Sequence, residues 1–164
     1  MSAFDLLSVM EQDKPTFVVD DMVGKLAKWL RILGYDTLYF KKIENKRLID
    51  IALRQERILL TRDTEMVRDK RVKKHILIED DHYSGQLRQV LDTLGLSVRA
   101  EKVFSRCLIC NEELKVVAKD FVKGKVPEFV FKTQEKFTAC PRCDRIYWNA
   151  THLRHVEEML EKLA

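Results

Sequence analysis

No apolar run in this chain approaches the roughly 20 residues that a membrane-spanning helix needs, so no membrane association is expected. Low-complexity segments are missing too, and no internal repeat occurs beyond one short pair of motifs, which leaves no sign of a repeat array or a long linker. No signal-peptide pattern opens the sequence. Neither sign of charge dominates: 30 Lys and Arg face 26 Asp and Glu, for a net charge of +4 and a pI of about 8.8. That balance permits nucleic-acid binding without establishing it. Cysteine is scarce, with four in 164 residues.

Those four cysteines are the most informative feature. They form two pairs of identical spacing, Cys107-Leu-Ile-Cys110 and Cys140-Pro-Arg-Cys143, with none left over. Two intervening residues let both sulfurs of a tight turn face one ion, and two such turns complete a tetrahedral zinc shell. Two disulfides are the alternative, and the missing signal peptide argues against them. A redox Cys-x-x-Cys would open a helix in a βαβ setting, which neither pair does. A closed four-sulfur shell stabilises a fold and performs no chemistry. The expected setting is reducing, intracellular and cytoplasmic.

A chain that is 46% hydrophobic and 34% charged suits one core-forming domain and a small appendage. Residues Met1 to Lys14 read as a short helix or a loose tail. Beyond them, short β-branched runs alternate with helical periodicity. Strands are expected at Phe17-Val18-Val19, Thr37 to Phe40, Ile58 to Thr61 and His75 to Ile78. Val23, Leu26, Ala27, Leu30 and Leu33 mark a helix closed by Gly34. Leu48, Ile49, Ala52 and Leu53 mark a second, with Asn45 placed to cap it. A short helix is expected around Glu65 to Asp69, and a longer one through Leu87, Val90, Leu91 and Leu94 to Gly95. This alternation implies an α/β fold with a doubly wound parallel sheet over residues 16–98.

Residues 104–164 read as a zinc ribbon plus a C-terminal helix. The ribbon's strand-like runs are Glu128-Phe129-Val130-Phe131 and Ile146-Tyr147-Trp148, and it is too small to bury a core without metal. Asn111 and Asp144 follow the second cysteine of each pair, where a positive φ is often needed and Asn and Asp tolerate it best. The last helix, from about Ala150 to Leu163, carries Leu153, Val156 and Leu160 on one face. His152 and His155 could ligate a metal, but the cysteines already fill the shell.

Three of the four expected strands end in carboxylates: Asp20 and Asp21, then Asp63, then Glu79, Asp80 and Asp81. Open α/β sheets bind ligands outside the carboxyl ends of their strands. Gathering acids there is unfavourable unless a cation compensates them, and oxygen-only ligands suit Mg²⁺ or Mn²⁺. Such an ion can activate water and clamp the oxygens of a phosphodiester. Helix capping by Asp21, Asp63 and Asp81 remains the competing reading. Lys25, Lys28 and Arg31 share a helix face, and Arg62 and Arg68 open a basic stretch after the third strand. These are candidates to hold phosphates, against the alternative of a solvated surface. The ribbon aromatics Phe129, Phe131, Phe137, Tyr147 and Trp148 could stack on bases if exposed, against the alternative that most of them pack the ribbon or its junction with the sheet domain. Asp36 is placed to pair with Arg31.

The run Phe17-Val18-Val19-Asp20, continued by Met22 to Thr37, resembles the opening of the Mut-seven C-terminal RNase domain family, a PIN-like nuclease fold fused to a zinc ribbon. The resemblance continues through Arg57 to Asp63, Phe104 to Asn111, Cys140-Pro-Arg-Cys143 and Ile146-Tyr147-Trp148, covering about residues 16–160. It implies a variation on the doubly wound sheet, a divalent-metal site and ribonuclease chemistry on RNA. Asp20 and Asp63 match the family's acidic positions at the ends of the first and third strands. Where such domains often place an Asp opening the second helix, this chain has Asn45, and Asp50, Glu44 or the pair Asp80-Asp81 could compensate. The leading expectation is a metal-dependent endoribonuclease using Asp20, Asp63, Asp81 and Asp50. The alternative is a non-catalytic RNA-binding adaptor in RNA processing or ribosome assembly. A phosphoacceptor domain would need a hydroxyl residue after the fourth strand, where Ile78-Glu79 stands, and a fifth strand ending in Lys.

Overall fold

Phe17, Val18 and Val19 form strand β1 (Phe17–Val19), and all three side chains are fully buried. A strand apolar on both faces belongs in the middle of a covered parallel sheet. That is where the computed structural model, which describes residues 14–148 and 152–163, places it. β2 (Thr37–Tyr39) and β3 (Ile58–Thr61) flank β1, and β4 (His75–Leu77) pairs with β3. All pairings are parallel, in the order β2-β1-β3-β4.

The helices cover both faces. Side chains alternate across a strand, so Phe17 and Val19 face one layer and Val18 the other. The first layer packs them with Leu26 and Leu30 of α1 (Gly24–Ile32) and with Leu87 and Val90 of α4 (Tyr83–Leu94). The second packs Val18 and Leu59 with Leu48 and Ala52 of α2 (Asn45–Arg54) and Met66 of α3 (Thr64–Arg68). Each fully buried Leu or Phe contributes about 1.5–3 kcal/mol relative to exposure.

α1 ends as its sequence implies. Gly34 takes φ +89°, its N–H bonds the Arg31 carbonyl at 3.0 Å, and the Tyr35 N–H bonds the Leu30 carbonyl at 2.9 Å. Glycine is required there, because an added Cβ would lie 2.5 Å from the Lys102 carbonyl oxygen.

Beyond α4 the chain builds a second, antiparallel sheet, β5-β6-β7, from Lys115–Val117, Phe137–Ala139 and Ile146–Trp148. Glu128 to Phe131 is not a strand: it lies in a helix, α5 (Glu128–Thr133). Pro127 sets the entry to that helix, Glu128 pairs with Lys132 one turn on, and the Thr133 hydroxyl donates to the Phe129 carbonyl. Local i, i+4 contacts therefore override the β propensity of Phe-Val-Phe.

α6 (His152–Leu163) leaves the ribbon and returns to the first core, where Met159 is buried and Leu160 packs partly buried. Val156 is buried as its spacing implies, whereas the Leu153 and His152 side chains, Ala150 and the expected N-terminal segment Met1 to Asp13 lie outside what is described.

Candidate functional site

The strand order places a topological switch between β1 and β3, since the chain leaves β1 toward β2 and then crosses back to β3. Crevices at the carboxyl ends of such strand pairs are where open α/β sheets bind ligands. Asp20 follows β1 directly, and its backbone N–H bonds the Leu60 carbonyl of β3 at 3.0 Å. Its side chain is buried. The Thr61 hydroxyl donates to Asp20 Oδ2 at 2.8 Å and accepts the Asp63 N–H at 2.9 Å. Asp63 Oδ2 accepts from Asn45 Nδ2 at 2.8 Å, and Asp63 Oδ1 from the Glu65 N–H at 2.8 Å. One continuous chain of hydrogen bonds thus joins Asp20, Thr61, Asp63 and Asn45, from the ends of β1 and β3 and the start of α2.

Burial pushes the Asp20 carboxyl up, and the neighbouring Asp21 carboxyl adds to this, while the Thr61 hydroxyl opposes it. An acid held this way gains from a cation, and the donor set is oxygen only, which fits Mg²⁺ or Mn²⁺. Asp63 also caps α3 through its bond to Glu65, so capping and site membership coexist in one side chain. Asn45 does not cap α2: Glu44 holds the cap position, and Asn45, the first helical residue, reaches across to Asp63.

The remaining expected acids do not join this hydrogen-bond chain. Asp81 is exposed and paired with Arg62 at 2.6 Å, and Asp50 faces Arg71 at 3.9 Å. Asp80 accepts the His82 N–H at 2.7 Å, folded against the start of α4. His82, not Asp81, occupies the cap position of that helix.

Among the basic candidates, Lys25 and Lys28 are exposed along α1. Arg68 pairs with Glu65. Arg31 is buried and leaves that face: Nε donates to the Thr37 carbonyl at 2.9 Å, and Nη1 to the Leu108 and Ile109 carbonyls at 2.9 and 3.1 Å. Asp36 pairs not with Arg31 but with Arg57, at 2.7 Å, and accepts from Asn111 Nδ2 at 2.7 Å. Burial pushes Asp36 up, but Arg57 and Asn111 outweigh it and hold the carboxyl below its ordinary value.

The second centre is the cysteine cluster. One sulfur from each of Cys107, Cys110, Cys140 and Cys143 lies within 4.8 Å of every other, as a shared zinc ion requires. The two turns repeat each other closely. Asn111 and Asp144 take φ +68° and +60°, and their N–H groups bond the Cys107 and Cys140 carbonyls at 2.9 and 3.0 Å. Burial raises the Cys107 thiol, yet bonds from the Tyr147 hydroxyl and from backbone N–H groups prevail and bring it to about 7. Cys110, beside Cys143, is pushed up to about 12, and burial raises Cys140. His155 is not part of this cluster, and its ring lies 3.9 Å from Glu158.

Three participants were not anticipated from sequence. Thr61 bridges the two acids, Tyr147 holds Cys107 at 3.1 Å, and Asn111 Oδ1 accepts the Thr37 N–H at 2.9 Å, capping the sheet's edge strand. Thr61 carried a readable sign, a hydroxyl at the buried end of an apolar strand. Asn111 was marked by its place after the second cysteine and Tyr147 as a ribbon aromatic, but nothing local pointed to these contacts.

Acidic residues at the switch point of a parallel α/β sheet, joined to a four-cysteine ribbon, define a two-part α/β protein with a candidate zinc centre. The sequence pattern of the Mut7-C RNAse domain matches residues 15–160, and the chain belongs to that family. No curated protein and no solved structure matches it. The family carries a nuclease-like, RNA-related function, with RNA as the substrate it implies. No described helix is long and apolar enough to cross a membrane.

Proposed function

We propose that this protein is a divalent-metal-dependent endoribonuclease whose reacting centre is built on Asp20 and Asp63. The supporting observation is the Asp20–Thr61–Asp63 hydrogen-bond chain at the switch between β1 and β3. Thr61 ties the two residues together, its hydroxyl donating to the Asp20 carboxylate and its oxygen accepting the Asp63 backbone N–H. Asp20 and Asp63 would hold Mg²⁺ or Mn²⁺, which supplies a water of lowered pKa and offsets phosphate charge. Lys25 and Lys28, exposed on the helix that begins just past Asp20 and Asp21, and Arg62, once released from its ion pair with Asp81, would bind phosphates through charge-assisted hydrogen bonds. The zinc ribbon acts structurally and assists RNA binding, in a protein expected to be cytoplasmic.

Incubation with single-stranded and structured RNA in Mn²⁺ tests this reading. Cleavage is expected, with a loss of at least ~100-fold on Asp20→Asn or Asp63→Asn, in line with the worth of one electrostatic contact to a reacting group. Cleavage that survives both substitutions together overturns the assignment.

A second reading is a non-catalytic RNA-binding adaptor in RNA processing or ribosome assembly. The observation favouring it is Asn45, whose amide occupies one Asp63 oxygen where a third carboxylate would add charge. Salt-dependent RNA binding without turnover in any divalent metal supports the adaptor. Tighter Mn²⁺ binding in Asn45→Asp would then identify the missing charge.

A further inference from the structure

Both tryptophans of the chain, Trp29 and Trp148, line one cleft of about 930 Å³ between α1, the start of α4, the ribbon sheet and α6. α1 supplies Lys25, Lys28, Trp29 and Ile32, spaced i, i+3, i+4 and i+7, which is one helix face. Trp29 stacks on Tyr83, ring centres 5.8 Å apart and planes 4° from parallel. The ribbon supplies the half-buried Tyr147 and Trp148, backed by the buried Phe137. Tyr147 is held in orientation by its hydroxyl, which accepts the Leu108 N–H at 3.2 Å and lies 3.1 Å from Cys107 Sγ. A second hollow adjoins across Lys28, Tyr147 and Trp148 and reaches Lys125 and Arg145.

Charge decides what such a wall of rings would take. Lys25, Lys28, Lys136, Lys125 and Arg145 have no ion-pair partner among the described residues. Of the acids on the same walls, Glu101 is paired with Arg99 and Glu135 with Lys119, leaving Asp144. Cations without an ion pair therefore exceed such anions beside the aromatic side chains, with Lys25 already over the Tyr83 ring at 5.8 Å and Lys125 over the Phe121 ring at 3.5 Å. A neutral apolar ligand would not use the cations, and a purely acidic partner would not use the rings. A strand with exposed bases and a charged backbone uses both. Lys25 lies just beyond Asp20 and Asp21, so the α1 face leads away from the acidic rim toward the ribbon. Its nine residues span about 14 Å.

We propose that this cleft is a channel for single-stranded RNA, with bases stacking on Trp29 and Trp148 and phosphates held by Lys28 and Lys136. The proposal rests on the reading of the chain as an RNA-acting protein, and it places the strand's grip away from the acids.

The test uses the full zinc-loaded chain, titrated with a short oligouridylate without added Mg²⁺ or Mn²⁺, with tryptophan emission as the signal. RNA should quench the emission. Lys28→Glu and Lys136→Glu should each weaken binding about 10-fold or more. A ribose-phosphate strand of equal length without bases should bind at least ~10-fold more weakly than the oligouridylate. Trp29→Phe and Trp148→Phe, which keep a ring, leave one reporter each and should both still quench. RNA binding with unchanged emission and no effect of either lysine substitution overturns the channel, as does equal binding of the base-free strand. Absence of RNA binding overturns it as well. Cleavage in Mn²⁺ together with any of these results leaves the ribonuclease reading standing. A working channel without cleavage leaves the channel and removes the nuclease.

Discussion

Thr61 holds the acidic rim together, because a single hydroxyl donates to a buried carboxylate and accepts the N–H that positions the next one. Replacing it with the near-isosteric Val removes both bonds and leaves Asp20 without its hydroxyl donor. The expected cost for Thr61→Val is about 1–3 kcal/mol, the usual penalty for orphaning a buried polar group. Urea unfolding reads this directly, and an unchanged midpoint would show that the hydroxyl contributes nothing. Asn45 illustrates another residue-scale point. An amide can both donate and accept, so it satisfies an Asp63 oxygen without any ion, where a carboxylate would repel it. That oxygen of Asp63 consequently has a partner without any ion.

At the scale of elements, α1 performs two tasks on opposite faces. Leu26 and Leu30 are buried in the first core, while Lys25, Lys28 and Trp29 face the cleft. Arg31, near its end, ties the edge strand β2 to the first cysteine turn through three backbone carbonyls. The planar guanidinium spans those acceptors as a point-like ammonium cannot. Arg31→Lys should therefore lose nearly as much stability as Arg31→Ala, about 2–4 kcal/mol given the worth of charged hydrogen bonds. Thermal unfolding of the two variants decides it. Full rescue by lysine would mean that charge, not the fork of donors, matters there. Asn111 joins the same elements by capping the Thr37 N–H and reaching Asp36.

For the whole molecule, these links make the metal centre and the sheet mechanically continuous. Removing zinc with a chelator should release the first cysteine turn and with it the edge of β2. Amide exchange at Thr37, bonded to Asn111, should accelerate, while the Leu59 and Leu60 amides inside the sheet stay protected. Unchanged exchange at Thr37 would show that the ribbon and sheet are energetically separate. Zinc affinity should also depend steeply on pH. In the metal-free chain the Cys110 thiol sits at about 12 and Cys140 is raised, so both are protonated at neutrality. Binding must expel at least those two protons, so apparent affinity should fall about 100-fold for each unit of pH lowered from 8 to 6. Competition with a chelating dye measures this, and a slope below tenfold per unit contradicts it.

Much of this organisation could be read along the chain. Ile58 to Thr61 is a strand at its expected limits, Gly34 and Gly95 end their helices, and Asn111 and Asp144 take positive φ. Glu128 to Phe131 misled because a four-residue apolar run fits either period, and Pro127 with the Glu128–Lys132 pair tipped it to helix. Arg31 misled for a different reason. Helical spacing puts it near Lys25 and Lys28, but only the packed neighbour determines whether a cation meets solvent or carbonyls.

The amino-acid sequence alone determined the order of strands and helices from β1 through α4 and the composition of the sulfur cluster, because periodicity and Cys-x-x-Cys spacing are properties of adjacent residues. Tertiary structure decided which acidic residues share Thr61, which arginine is withdrawn from the surface and which cleft the two tryptophans line. Those outcomes depend on segments far apart in sequence whose juxtaposition is set by strand order and by the docking of the ribbon, and no local pattern encodes either.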